Sequence, residues 1–125
     1  AVLDAVGIKQ AKWLSFSSYE YRNNPEKYIT EAFDKLSSPI FVKPANAGSS
    51  VGISKASNET ELRKGIETAL KEDKKVVLEE FIDGFEVECA VLGNEEPVAA
   101  EVGEILAAAE FYDFDANITI PNRRR

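Results

Sequence analysis

The chain has 125 residues and a formal net charge of -7, with 44% hydrophobic and 30% charged residues. This length suits one compact domain, and the composition is typical of a globular protein rather than a disordered one. The acidic balance argues against a nucleic-acid partner held through its phosphates. No apolar run approaches the roughly 20 residues of a membrane span and no signal peptide is visible, so we expect no membrane partner.

Two residue types are absent and a third occurs once. The chain has no histidine, which excludes Ser-His and Cys-His nucleophile pairs and histidine metal sites within it. It has no methionine, even at position 1, so we expect a piece of a longer protein. Cys89 is the one cysteine, which excludes an internal disulfide and fits a reducing compartment. Its strand-like surroundings predict a small buried side chain rather than a nucleophile.

The first third of the chain is predicted to contain helix, strand and helix. Residues 1–6 are predicted to be the end of a helix, and the segment KWLSFS at 12–17 is predicted to be a strand. The next helix is predicted to begin at Asn24 as N-cap, with Pro25 at its first position, and to end before Pro39. Its apolar stripe consists of Tyr28, Ile29, Ala32, Phe33 and Leu36.

The segment from Pro39 to Lys55, PIFVKPANAGSSVGISK, predicts a strand, a small-residue loop and a second strand. Glycine lets backbone N–H groups turn toward one point, and small side chains let an anion approach closely. Lys43, at the end of the first strand, would place an ammonium beside that anion. The loop is not a Walker A motif, and as a pattern alone it is also typical of an ordinary hairpin connection.

The rest of the chain is predicted to be one helix followed by strands. The helix should begin after Asn58, which has capping-box spacing to Glu61. Strands are predicted at 74–82, at 85–92 and, returning after a turn, at 98–105. The pattern therefore predicts an α+β fold, in which a largely antiparallel sheet is covered by two helices.

Taken together, these pieces resemble the ATP-grasp fold and, within it, the D-alanine–D-alanine ligases. The resemblance extends to about Ala116 and rests on three segments in the family's order: FVKPANAGSSVGISK (41–55), VVLEEFIDGFEVECAVLG (76–93) and EFYDFDA (110–116). It implies that residues 1–125 form the smaller, ATP-binding lobe of such a ligase.

The resemblance also implies which residues bind phosphate. Lys43 matches the family lysine that contacts an ATP phosphate, where a fixed cation would offset the phosphate charge. The residues Ser49, Ser50, Val51 and Gly52 match the loop that closes over the phosphates. Ser49 also matches a family serine near the dipeptide-forming site, which makes it the catalytic candidate. The alternative for Lys43 is a solvated surface lysine.

The adenine-holding segment of the family is matched by Glu79, Glu80, Phe81 and Ile82. In such a segment the backbone supplies hydrogen bonds and an apolar side chain packs on the base. Glu80 stands where the family often has a basic residue, a tolerable change if only its main chain touches adenine. Glu86 matches the glutamate that accepts hydrogen bonds from the ribose hydroxyls. The alternative for Glu79 and Glu80 is a charged strand edge that faces solvent, and the alternative for Glu86 is an exposed strand glutamate.

Tyr112 matches the region that precedes the family's lid over the active site. After Ala116 the family usually has a lysine and an aromatic residue, whereas this chain has Asn117 and then ITIPNRRR. The lid lysine therefore cannot be assigned. The resemblance places the family's N-terminal domain and its magnesium ligands outside this chain, so no metal ligand is assigned either.

For the intact enzyme, the resemblance implies ATP-driven, Mg²⁺-dependent joining of two D-alanines through an acyl-phosphate, with release of ADP and phosphate. The product would feed peptidoglycan synthesis in a bacterial cytoplasm, and a homodimer is one expectation for the assembly. From this chain alone we expect nucleotide contact without turnover. The alternatives are a D-alanine–D-serine or D-alanine–D-lactate ligase, another ATP-grasp carboxylate-amine ligase, and a domain that has lost its nucleotide.

Overall fold

The computed structural model describes residues 2–48 and 50–106. The chain divides into two compact units, the first ending at Ile82 and the second beginning at Asp83. The single lobe predicted for 1–125 stays a prediction. Within the described residues, no helix has the length and apolar character needed to cross a membrane.

The first unit is built on one antiparallel sheet. Its elements are α1 (Val2–Ala5), β1 (Trp13–Ser17), α2 (Ser18–Asn23), α3 (Pro25–Lys35), β2 (Ile40–Pro44), β3 (Ser54–Ala56), α4 (Glu59–Glu72) and β4 (Lys75–Glu80). The strand order is β1-β4-β2-β3, so that β4 and β2 are the inner strands. The predicted α+β class, with an antiparallel sheet and two long helices, is confirmed.

Two of the predicted helix starts are confirmed by their caps. The Asn24 side chain accepts a hydrogen bond from the Lys27 N–H at 3.3 Å at the start of α3. At α4, the Asn58 side chain accepts from the Glu61 N–H at 2.9 Å. The Glu61 carboxylate, however, accepts from the Ser57 N–H at 2.7 Å rather than from Asn58, so the predicted capping box is only half formed.

Helix α2 was not predicted, although its signal stands in the sequence. The Glu20 N–H donates to the Ser17 hydroxyl oxygen at 3.1 Å, and the Ser17 N–H donates to the Glu20 carboxylate at 2.7 Å. The two bonds form a complete capping box directly after β1, so the helix begins without an intervening loop. Hydrogen bonds from the Ser17 backbone N–H and hydroxyl to the Glu20 carboxylate hold its pKa below the ordinary value.

The core lies between the helices and one face of the sheet. Because side chains alternate across a strand, the buried residues alternate with partly exposed ones along β2 and, at Val76 and Leu78, along β4. Phe33, which was predicted in the apolar stripe of α3, is instead exposed. The core consists of Phe16, Tyr21, Ile29, Ala32, Leu36, Ile40, Val42, Ala56, Leu62, Ile66, Ala69, Val76 and Leu78.

Helix α4 lies unusually close to the sheet at Gly65. A Cβ atom at this position would stand 2.5 Å from the Ser54 hydroxyl oxygen and 3.2 Å from Val42 Cγ2. Only a residue without a side chain fits there unless its neighbours move. The helix is thus seated directly on β2 and β3.

Over residues 83–106, the second unit forms four short strands that pair as two ladders. These are β5 (Glu86–Glu88), β6 (Val91–Leu92), β7 (Val98–Ala99) and β8 (Gly103–Ile105), with β5 antiparallel to β8 and β6 antiparallel to β7. The prediction of two continuous strands over 85–92 and 98–105 was wrong, because each is interrupted near its middle.

Cys89 lies at one of these interruptions, and the prediction that it is buried was wrong. The residue is exposed, and its Sγ lies 3.3 Å from the Ala100 carbonyl oxygen, to which it donates. No described residue from Asp83 to Leu106 is buried, so no apolar layer receives this side chain.

Candidate functional site

The face of the sheet opposite the core carries charged and aromatic side chains. On β2, Phe41 and Lys43 alternate with buried residues, and on β4 Val77 and Glu79 do the same. Lys55 of β3 is the cross-strand partner of Phe41 and shares its face. We call these five residues the open face. All of them are partly exposed, which leaves their polar groups accessible to a ligand.

An ion pair lies at the centre of the open face. Phe41 is opposite Glu79 and Lys43 is opposite Val77, so Lys43 and Glu79 are diagonal neighbours on adjacent strands. The Lys43 Nζ lies 2.5 Å from Glu79 Oε2, and the two side chains are 36% and 33% exposed. An ammonium carries three donors, so this pairing holds Lys43 in place and leaves it capacity to bind an anion.

The loop between β2 and β3 begins directly after Lys43 and Pro44. Ser50 and Gly52 have positive φ angles of 61° and 75°. The Val51 N–H donates to the Gly48 carbonyl at 3.3 Å, and the Ile53 N–H donates to Ser50 at 3.4 Å. The predicted strand, small-residue loop and strand are confirmed over the described residues. Left-handed residues in successive turns are the backbone form that gathers N–H groups around an anion.

An aromatic pair borders the open face. The rings of Phe41 and Phe81 are stacked with centroids 6.0 Å apart and an interplanar angle of 24°. The Lys55 Nζ lies 5.5 Å from the centroid of the Phe81 ring. Phe81 is 39% exposed, so an apolar surface is available beside the charged centre. A flat ligand with an anionic end would find both surfaces on this face.

Lys55 was not among the residues predicted for the site. Its place beside Phe41 depends on the register in which β2 pairs with β3, and this register cannot be deduced from the sequence alone. The available signal was the two-residue alternation of Ile53 and Lys55 with Ser54 and Ala56, which places Lys55 on the opposite face of the strand from the buried Ala56.

At the end of β4 and just after it, two of the three backbone N–H groups of residues 80–82 already donate hydrogen bonds within the protein. The Glu80 N–H donates to the Lys12 carbonyl at 3.0 Å, and the Phe81 N–H donates to the Pro39 carbonyl at 3.2 Å. The Glu80 carboxylate accepts from the Lys12 N–H at 2.9 Å. The Ile82 N–H makes no backbone hydrogen bond to another described residue. Ile82 therefore offers a main-chain donor to a ligand.

The alternative interpretation of Glu79 and Glu80 as a solvent-facing strand edge was wrong. Their strand, β4, lies between β1 and β2 rather than at an edge of the sheet. Both side chains are partly buried and both accept hydrogen bonds, from Lys43 and from the Lys12 backbone respectively.

The chain matches the family model described as "D-ala D-ala ligase C-terminus" over residues 2–124. The chain belongs to this family. It is 50% identical over 115 residues to the D-alanine–D-alanine ligase of Clostridium novyi, which covers 92% of this chain and 34% of that protein. The ligase of Acetivibrio thermocellus is also 50% identical over 115 residues, with 92% and 31% covered.

Solved structures of ligases have the same fold. The VanG D-Ala:D-Ser ligase from Enterococcus faecalis superimposes with a TM-score of 0.78 at 36% identity, covering 99% of this chain and 33% of that one. The D-alanine–D-alanine ligase from Coxiella burnetii gives a TM-score of 0.75 at 37% identity, with 84% and 31% covered. The family member described here therefore has the ATP-grasp fold and spans about a third of the length of the relatives that it matches.

The structure brings two of the predicted residues of this ligase domain together. Lys43 and Glu79 meet in one ion pair on the first unit. Glu86 lies on β5 of the second unit, exposed and opposite Ile105. Ser49 and Tyr112 lie outside the described residues, so their predicted roles stay predictions.

Magnesium has no assigned ligands in this domain. Over residues 2–48 and 50–106, no group of three or more acidic, histidine or cysteine side chains could hold a metal ion.

Proposed function

We propose that this chain is the part of a D-alanine–D-alanine ligase that binds ATP, and that the open face holds the nucleotide. The observation that carries the proposal is the position of Lys43. It is fixed on the open face at the base of a small-residue loop, in a chain 50% identical to D-alanine–D-alanine ligases.

Lys43 would contact a phosphate of ATP. Its strand is an inner strand of the sheet, and its ammonium is held by Glu79 at 2.5 Å, so the cation does not have to be ordered when the nucleotide binds. A charge fixed in advance stabilises developing negative charge at little reorganisation cost. The loop residues Ser50, Val51 and Gly52 would close over the phosphates, and loop N–H groups that are not already bonded within the loop would complete the phosphate site.

The adenine would lie beside Phe81 and receive a hydrogen bond from the Ile82 N–H. This assignment is supported by the commitment of the neighbouring Glu80 and Phe81 N–H groups to Lys12 and Pro39. Adenine N1 is an acceptor, so a main-chain donor in this segment can distinguish adenine from guanine, whose N1 carries hydrogen. The carboxylate of Glu80 is held by Lys12, which is consistent with a main-chain role at this position.

Three further roles rest on the family alone. Glu86 would accept hydrogen bonds from the ribose hydroxyls, because one carboxylate can accept two donors. Ser49 would orient the reacting groups at the site of dipeptide formation, and Tyr112 would belong to the region before the lid.

In the whole enzyme, a carboxylate oxygen of the first D-alanine attacks the γ-phosphorus of ATP, and the bond to the ADP oxygen breaks. The amine of the second D-alanine then attacks the acyl-phosphate carbon, forms the amide bond, loses a proton and expels phosphate. Because this chain spans about a third of its relatives, we propose that it contributes nucleotide binding and that turnover requires the rest. Magnesium would neutralise phosphate charge through ligands supplied elsewhere.

We also propose a pathway, a cellular compartment and an oligomeric state for the intact enzyme. The dipeptide would be used in peptidoglycan synthesis, in the cytoplasm of a bacterium, and the enzyme would act as a homodimer. Its partners would be the small molecules ATP and D-alanine. Sedimentation of the intact protein at several concentrations tests the dimer, since a single monomer-sized species throughout would reject it.

A second candidate is a ligase that takes D-serine second. The superposition on VanG D-Ala:D-Ser ligase, which covers 99% of this chain, favours keeping it. The identity of 36% to that protein is lower than the 50% to D-alanine–D-alanine ligases, so we place D-alanine first. Assays of the intact protein with each second substrate decide between them by the higher kcat/KM.

Calorimetric titration of ADP into the intact protein that carries this chain tests the nucleotide site. We expect Lys43→Ala to weaken ADP binding about 10- to 150-fold, because a hydrogen bond to a charged group contributes about 1.5–3 kcal/mol. The matched control is Lys64→Ala, which removes the same charge from an exposed position on α4. Equal affinities in wild type and both variants would reject Lys43 as the phosphate ligand.

A further inference from the structure

We infer that Asp73, the C-cap of α4, is the residue that positions the loop between β2 and β3 for phosphate binding. This inference rests on the proposed function, since it specifies how the phosphate-binding loop is held. It concerns a residue that contacts the loop rather than the nucleotide, so we assign it a positioning role.

Asp73 accepts hydrogen bonds from three donors, two of which belong to the first part of the loop. Its Oδ2 accepts from the Asn46 backbone N–H at 2.8 Å and from the Asn46 side-chain amide at 2.9 Å. Its Oδ1 accepts from the Lys74 N–H at 2.6 Å. The carboxylate thus joins two segments that lie 27 residues apart in the sequence.

The neighbouring contacts fix the same part of the loop and its return. The Ala45 N–H donates to the Lys75 carbonyl at 2.9 Å, which extends the pairing of β2 with β4 past Pro44. On the return side, a Cβ at Gly52 would stand 2.8 Å from Glu72 Cγ and 3.1 Å from Pro44 Cγ. The loop therefore leaves and re-enters the sheet against the last residue of α4 and its cap.

A carboxylate suits this position better than an amide. Two donors of Asn46 and one of Lys74 converge on it, and both oxygens of an ionised aspartate accept, whereas an asparagine has one accepting oxygen and one donating nitrogen. Burial raises the pKa of Asp73, but the hydrogen bonds from Asn46 and from the Lys74 backbone outweigh it and hold the pKa below its ordinary value. The charged form is thus the one that this arrangement favours.

The Asp73 anchor should affect binding of the phosphate groups of a nucleotide but not binding of its nucleoside part. A loop ordered before binding loses less conformational entropy when phosphate arrives, so the anchor should raise affinity for the phosphate part of the ligand. Adenosine, which has no phosphate, should not gain from it. The ratio of ADP to adenosine affinity therefore separates a positioning role from a general contribution to stability.

The test uses wild type, Asp73→Asn, Asp73→Ala and Asn46→Ala in the intact protein. We expect both Asp73 variants to weaken ADP binding about 5- to 20-fold, because only part of the contribution of the lost charged hydrogen bonds reaches the phosphate site, and to leave adenosine binding unchanged. Adenosine is measured by competition against a fluorescent ADP analogue. Asn46→Ala keeps the backbone donor and should have a smaller effect, with none added in the Asp73→Ala background.

The matched control is Asp34→Asn, which changes an exposed carboxylate on α3 that has no hydrogen bond or ion pair to a described residue. Amide exchange in the nucleotide-free protein gives a second readout: exchange in the peptide that contains Asn46 should accelerate in both Asp73 variants and not in the control. An unchanged ADP-to-adenosine ratio with unchanged exchange would overturn the inference alone. Wild-type protein that binds neither ligand would overturn the proposed function and the inference with it.

Discussion

The two faces of the four-stranded sheet carry different kinds of residue on the same strands. On β4, Val76 and Leu78 are fully buried against the helices, whereas Val77 and Glu79, which follow them in alternation, belong to the open face. On β2, Lys43 follows the buried Val42 directly. Because side chains alternate across a strand, one short sequence serves both the core and the proposed nucleotide site. Stability and binding should therefore respond to different, adjacent substitutions.

Adjacent valines on β4 give the largest expected contrast. Val76→Ala should lower the free energy of unfolding by about 2–3 kcal/mol, because it removes two methyl groups from a filled core and leaves a cavity. Val77→Ala makes the same chemical change on the open face and should cost about 1 kcal/mol or less. Urea unfolding of both variants measures the contrast, and equal losses would break the distinction between the two faces.

Gly65→Ala tests how closely the core face is packed. Alanine normally stabilises a helix interior by about 1 kcal/mol over glycine. Here its Cβ would stand 2.5 Å from the Ser54 hydroxyl oxygen, and overpacking of this kind costs about 1–3 kcal/mol. We expect a net loss of about 1 kcal/mol of stability, with no change in ADP affinity. A stabilised variant would show that the helix moves away without cost.

Ser54→Ala provides the control for that experiment. The Ser54 hydroxyl oxygen is buried and has no hydrogen-bond partner among the described residues, so its removal should be neutral or stabilising. In the Ser54→Ala background, the cost of Gly65→Ala should shrink, because the closest atom is gone. Additive effects would contradict the proposed contact.

The pH dependence of stability gives the smallest expected difference. The folded-state pKa of Asp73 is depressed by its hydrogen bonds, so its contribution is present above the unfolded pKa of about 3.9 and is lost as pH falls through the folded value. The stability difference between wild type and Asp73→Asn should therefore be constant above about pH 5 and shrink below about pH 4. The loss caused by Val76→Ala should not follow this titration. Both stability differences are measured by chemical unfolding at pH values from about 3 to about 7, in steps of about one pH unit.

Local signals predicted much of the first unit. The helix at Asn24-Pro25, the strand at Trp13–Ser17 and the loop after Lys43 follow from capping, alternation and glycine content, each of which acts over a few residues. The complete capping box of Ser17 is equally local, so α2 also has a signal in the sequence.

Long-range pairing could not be predicted in the same way. The place of Lys55 beside Phe41 depends on strand register, and the bond between Asn46 and Asp73 joins residues 27 positions apart. The strands of the second unit are interrupted where two short ladders meet, which alternation alone does not reveal and which leaves Cys89 exposed. Such features are fixed by which elements meet, not by local preference.

The same two variants, measured in two ways, test the central claim most directly. Lys43→Ala and Val76→Ala are made in the intact protein, and both the free energy of unfolding and the Kd for ADP are determined for each at a temperature where both are folded. We predict a crossed result: Lys43→Ala loses ADP affinity with stability within about 1 kcal/mol of wild type, since ion pairs that remain partly solvated contribute little, and Val76→Ala loses stability with unchanged ADP affinity. Parallel losses of stability and affinity in both variants would contradict the division of the sheet into a core face and a nucleotide face.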